Sequence, residues 1–161
     1  MGLLVKGATS FTQLTDAPPS LIGQTKKVLR VNAGETALEF LDDEKGLAFI
    51  IDGGGVAIIA GEKGYLVAPF DCEITDVELE ADQPGSIKVD IWKDTYTNFP
   101  PTNADSICGG NEPEIAVAQK DRDTTLTDWT KSISEGDIIA FNVDSCTTIT
   151  RCTVTLGVKR T

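Results

Sequence analysis

From Gly46 onward, apolar residues recur at a spacing of two. Ile87, Val89 and Ile91 alternate with Lys88, Asp90 and Trp92, and Cys152, Val154, Leu156 and Val158 alternate with Thr153, Thr155 and Lys159. Val77 and Leu79 fall on one face and Glu78 and Glu80 on the other, and Ile139, Phe141 and Val143 group together within 137–143. That period is the signature of half-buried strands. Continuous apolar runs at 47–51, 56–60 and 65–70 are closed by Asp52-Gly53-Gly54-Gly55, by Gly61 and by Lys63-Gly64, and they predict further strands. About seven or eight short strands with turn residues between them predict two packed sheets. The expected fold is all-β, an antiparallel, jelly-roll-like β-sandwich.

The rhythm changes at Asp42-Asp43-Glu44-Lys45-Gly46, so the chain is expected to divide into residues 1–45 and 46–161. The first part reads as an extended N-terminal arm. Thr15-Asp16-Ala17-Pro18-Pro19-Ser20 breaks it, and strands at 27–31 and 36–41 flank a turn at Asn32-Ala33-Gly34-Glu35. A lone hairpin is marginal in water, so the arm is expected to pack on a partner chain or another protein. In the second part, 94–130 is too long for a tight hairpin. A connection of that length usually holds a short helix or does functional work, and 114–120 reads as a helical turn.

Charge narrows the function classes. With 14 Lys+Arg against 25 Asp+Glu in 161 residues, the net charge is −11. Such a surface repels phosphate backbones and anionic lipid, so neither nucleic acid nor membrane is an expected partner. The sequence has no His, which removes His-based acid/base chemistry and most zinc and copper sites. No apolar run is long enough to span a bilayer, and Met1 to Ser10 lacks the pattern of a secretory leader.

Four cysteines remain. Without a CxxC pair, a metal site would need all four thiolates to converge. Cys146 and Cys152 flank a Thr-rich turn; they either face each other as a disulfide or serve as small buried hydrophobes. Asp90, Asp94, Asp42 and Asp43 lack EF-hand spacing and read as solvated acids. Paired carboxylates can hydrolyse glycosides, but 25 acids guarantee accidental pairs. No catalytic residue, metal or cofactor is therefore expected. The aromatic cluster around Trp92 carries more information. Trp92 lies on the face opposite Ile87, Val89 and Ile91, and Asp94, Tyr96, Asn98 and Phe99 follow it. Exposed aromatics beside amides and carboxylates stack on sugar rings or anchor a neighbouring subunit; alternatively, 94–130 folds back and buries Trp92.

Two stretches resemble phage virion proteins. Phe11-x-x-Leu14-Thr15-Asp16-x-Pro18-x-Ser20-x-x-Gly23, Val28-x-Arg30-Val31-Asn32 and Thr36-x-Leu38-Glu39-Phe40 are similar to connector repeats of tail-fibre and other appendage proteins. Asp52-Gly53-Gly54-Gly55, Gly85-Ser86-Ile87, Val89-Asp90-Ile91-Trp92-Lys93-Asp94, Pro100-Pro101-Thr102, Gly136-Asp137 and Phe141-Asn142-Val143-Asp144-Ser145 resemble a small C-terminal β domain of phage fibre and virion structural proteins. The resemblance implies a non-enzymatic virion component, commonly a homotrimer, made in the bacterial cytoplasm, with capsid or tail proteins as partners. Docking on the particle would fall to Phe11, Leu14, Val28, Arg30, Val31, Leu38 and Phe40. One connector and no shaft imply a capsid decoration (cement) protein or a short head or tail appendage. The alternative is a tail-fibre tip module that binds host-surface carbohydrate.

Overall fold

The computed structural model describes residues 10–161, so the expectation that the first residues carry no secretory leader lies almost wholly outside it. The chain divides between Asp43 and Glu44 into two compact units.

In the first unit, a single 3-10 turn at Phe11–Gln13 precedes a hairpin of β1 (Val28–Val31) and β2 (Leu38–Leu41). Val28 pairs with Leu41 and Val31 with Leu38. The turn between them is held by one side chain: the Asn32 carbonyl Oδ1 accepts from the Thr36 and Ala37 amides at 3.0 and 3.3 Å. Arg30 reaches across to Glu39 at 3.1 Å, and the rings of Phe11 and Phe40 lie 6.4 Å apart. No residue from 10 to 43 is buried.

The second unit is all-β. Its strands are β3 (Glu44–Asp52), β4 (Gly61–Val67), β5 (Cys72–Asp94), β6 (Glu114–Asp123), β7 (Ser132–Ile133), β8 (Ile138–Thr147) and β9 (Arg151–Arg160). They form one antiparallel sheet in the order β3-β9-β5-β8-β4, with β6 and β7 also pairing β5. The 23-residue β5 makes the sheet a sandwich. Its first half pairs with β9, from Cys72↔Arg160 to Ala81↔Cys152, and its second half pairs with β8, from Ser86↔Thr147 to Asp94↔Ile138. β6 follows the same bend on the other side, with Glu80↔Lys120 before it and Gly85↔Ala118 after it. The sheet thus curls into two facing layers.

Gly85 stands at that bend because a Cβ there would overlap the Thr147 carbonyl and the Thr148 hydroxyl. Gly64 serves the closure of the sandwich. Phe49 on β3 stacks on Phe141 of β8, centroids 4.5 Å apart and rings 6° from parallel. A Cβ on Gly64, whose φ is +142°, would stand 2.9 Å from the Phe49 ring. The core runs between the layers: Cys72, Ile74, Val77, Leu79, Ile87, Val89 and Ile91 from β5, and Cys152, Val154, Leu156 and Val158 from β9.

Several expectations need correcting. Residues 56–60 form a loop. Gly54 and Gly55 leave the strand with φ of +68° and +87°, and only Ile58 of that run is buried, its amide donating to the Ile149 carbonyl at 2.9 Å. The segment 114–120 is strand β6, because the open edge of β5 supplies a ladder that local propensity does not foresee. The runs at 74–81 and 87–91 are halves of one strand, bent at Pro84 and Gly85 rather than ended there. Lys63-Gly64, read as a turn, is a bulge inside β4. The disulfide considered for Cys146 and Cys152 is not formed: all four cysteines are free thiols. Cys146 lies on β8 opposite Ile87 and Cys152 on β9 opposite Ala81.

Candidate functional site

The aromatic cluster read from the sequence is split by the fold. Trp92 is half-buried, and its indole N–H donates to Asp90 at 2.5 Å. The chain beyond Phe99 returns alongside it. Ser106 is bridged to Trp92, donates its hydroxyl to Asp90 at 2.6 Å, and is followed by Ile107, whose amide donates to the Ile91 carbonyl at 2.9 Å. Asp90, 3% exposed, therefore has two donors inside the protein. Trp92 is a packing residue of this returning segment, and Trp129 is likewise core, its indole donating to the Asn111 carbonyl at 3.0 Å.

Tyr96 and Phe99 take the opposite course. Asp94, the last residue of β5, accepts from the Thr95 amide at 2.6 Å and from the Asn98 side chain at 3.0 Å. Those bonds shape a 3-10 turn, Tyr96–Asn98, that carries Tyr96 and Phe99 outward, 79% and 51% exposed. With Tyr65 and Val67 of β4 and Ile138 of β8, they line an open groove of about 490 Å³.

The groove is held on every side. Phe99 meets Tyr65 edge-on with centroids 4.8 Å apart, and the Tyr65 hydroxyl donates to Glu62 at 2.6 Å. That bond to a carboxylate raises the pKa of the phenol above its ordinary value. Beneath, the Ala68 amide donates to the Asp137 carbonyl and the Gly136 amide to the Ala68 carbonyl, both at 2.9 Å, tying the end of β4 to the start of β8. The buried Asp137 carboxylate also takes Lys93 at 3.1 Å and the Ser134 amide at 2.9 Å.

Tyr65 and Val67 were not among the candidates read from the sequence. They sit in a continuous apolar run that looks like core, but they alternate with Leu66, which packs on the core, and so fall on the outer face of β4.

The proposed docking residues also separate. Phe11, Leu38 and Phe40 are half-buried within the hairpin unit, and Arg30 is engaged by Glu39. Leu14, Val28 and Val31 are exposed, and Leu21, Leu29 and the 90% exposed Ile22 join them.

Among the described residues no group of three or more Cys, Asp and Glu side chains is arranged to hold a metal ion. Of the carboxylates considered for one, Asp90 serves Trp92 and Ser106, and Asp42 pairs with Lys27 at 3.6 Å. No helix among the described residues is long and apolar enough to cross a membrane.

No family model matches the chain, and no curated protein matches it. Among solved structures it is similar to a chain of the structure of infectious bursal disease virus, Gx strain, at 10% identity and a TM-score of 0.27. The similarity covers 83% of this chain and 38% of that one, so this chain spans well under half the length of its neighbour. A likeness at that level carries no argument about role.

Proposed function

We propose that this chain is a structural component of a bacteriophage particle, docked there by its N-terminal hairpin unit and displaying its sandwich outward, as a homotrimer. The observation that carries the reading is the condition of residues 10–43. None of them is buried, yet Leu14, Leu21, Ile22, Val28, Leu29 and Val31 expose apolar side chains. A two-stranded hairpin has too little burial to hold itself together in water, and exposed apolar patches mark interaction surfaces. A capsid or tail protein supplies the missing burial. The sandwich needs no such support, because its core lies entirely within 47–158. The sequence resemblance of both units to phage virion proteins points the same way.

Within this reading, capsid decoration and a head or tail appendage differ in copy number. Decoration calls for a chain count in fixed proportion to the major capsid protein, and an appendage for a few to tens of chains per particle. Quantitative mass spectrometry of purified particles separates them. Docking is tested by incubating particles lacking this protein with the full chain or with residues 44–161. The full chain is expected to co-sediment and the truncated one to stay in solution. Equal co-sedimentation of both overturns the role of the hairpin unit.

A further inference from the structure

We propose that the groove between β4 and the 94–99 turn binds a neutral glycan, with pyranose rings stacked on Tyr96 and Phe99. This goes beyond the docking role and does not depend on it. Three aromatic rings, Tyr65, Tyr96 and Phe99, and the side chain of Val67 converge on a groove of about 490 Å³ floored by Ile138. An aromatic face carries negative charge density and attracts the weakly positive C–H face of a sugar. Tyr65, Phe99 and the turn that carries Tyr96 are also positioned in advance. Tyr65 is fixed by the Phe99 edge contact and by Glu62, and the turn bearing Tyr96 is fixed by the two hydrogen bonds to Asp94. Binding therefore immobilises little that is not already ordered.

The surroundings select among occupants. An added β-strand is disfavoured, because the bulge between Glu62 and Gly64 breaks the regular row of backbone groups that strand addition needs. Glu62 and Asp94 stand beside the aromatic residues as acceptors engaged by Tyr65, Thr95 and Asn98, and the remaining lone pairs of these carboxylates suit sugar hydroxyls. Both charges there are negative, Lys93 beside Asp94 is engaged by Asp137, and the whole chain carries −11. Sialylated or phosphorylated sugars are repelled, which leaves uncharged hexoses and N-acetylhexosamines.

The test is a titration of the full-length protein with neutral oligosaccharides (cellohexaose, maltohexaose, mannohexaose and chitohexaose) and with sialylated and phosphorylated counterparts, followed by calorimetry and amide chemical shifts. At least one neutral member is expected to bind with a dissociation constant on the order of 1 mM or tighter, shifting resonances at 65–67 and 94–99. Tyr96→Ala is expected to weaken that binding about tenfold, the scale of one lost aromatic stack. Because Tyr96 is 79% exposed, its thermal unfolding midpoint should stay unchanged. No binding across the neutral panel, tighter binding of the anionic set, displacement of the sugar by an apolar hexapeptide, or an unchanged affinity in Tyr96→Ala each overturns the proposal. None of these results bears on co-sedimentation with particles.

Discussion

Asp82 ties down the turn between β8 and β9. Its carboxylate accepts from the Thr150 hydroxyl and from the Thr150 and Arg151 amides, the last two at 3.1 and 3.0 Å. These bonds, the hydroxyl first, lower its pKa below the ordinary 3.8. A carboxylate with a depressed pKa adds stability above its unfolded value, and that contribution is lost as pH falls through the folded one. Asp82→Ala should therefore unfold at a lower temperature than wild type near pH 6. The gap should narrow below the ordinary carboxylate value as both proteins are taken to about pH 2, which thermal scans across that range will read. The thiols obey burial. It raises all four pKa values, that of Cys152 to about 12, so the reactive thiolate is scarce in the folded protein. Iodoacetamide at pH 8 should label the half-buried Cys146 first and the other three only after unfolding, as peptide mapping would reveal.

At the scale of elements, β5 and the segment that returns beside it form one structural device. Asp90 sits on the face of β5 opposite the core, where the alternation of Lys88, Asp90 and Trp92 reads as solvent-facing. The return of 103–108 covers that face, and Asp90 becomes the shared acceptor for Trp92 and Ser106. Asp90→Ala should leave both donors without a partner in a covered site and cost about 2–4 kcal/mol in urea unfolding. Hydrogen exchange at the Ile107 amide should accelerate in the same variant, since its bond to Ile91 depends on the segment staying in place. A loss below about 0.5 kcal/mol would mean that the segment is held by other contacts.

For the whole molecule, the division at Asp43/Glu44 separates a unit with no buried residue among those described from one that holds the core of the described residues. Residues 44–161 alone should unfold cooperatively, with a midpoint within a few degrees of the full chain. A broad or strongly lowered transition in calorimetry would mean that the hairpin unit stabilises the sandwich. That same division accounts for the proposed role, since the unit that lacks burial is the one that needs a partner.

The sequence by itself determined the all-β class and the core faces of the strands with the clearest alternation. A period of two at 87–91 and 152–158 follows directly from strand geometry, and turn residues mark where most strands end. It also carried Asp94, Tyr96, Asn98 and Phe99 as neighbours, because they are adjacent in the chain. Tertiary structure decided the rest. Strand β6 exists because β5 offers it an edge. Trp92 is covered by the returning segment around Ser106, and Tyr65 and Val67 share a groove with Tyr96 and Phe99 because the turn after β5 meets β4. Each of these depends on contacts between residues far apart in the chain, and local pattern does not encode which distant edge a segment will meet.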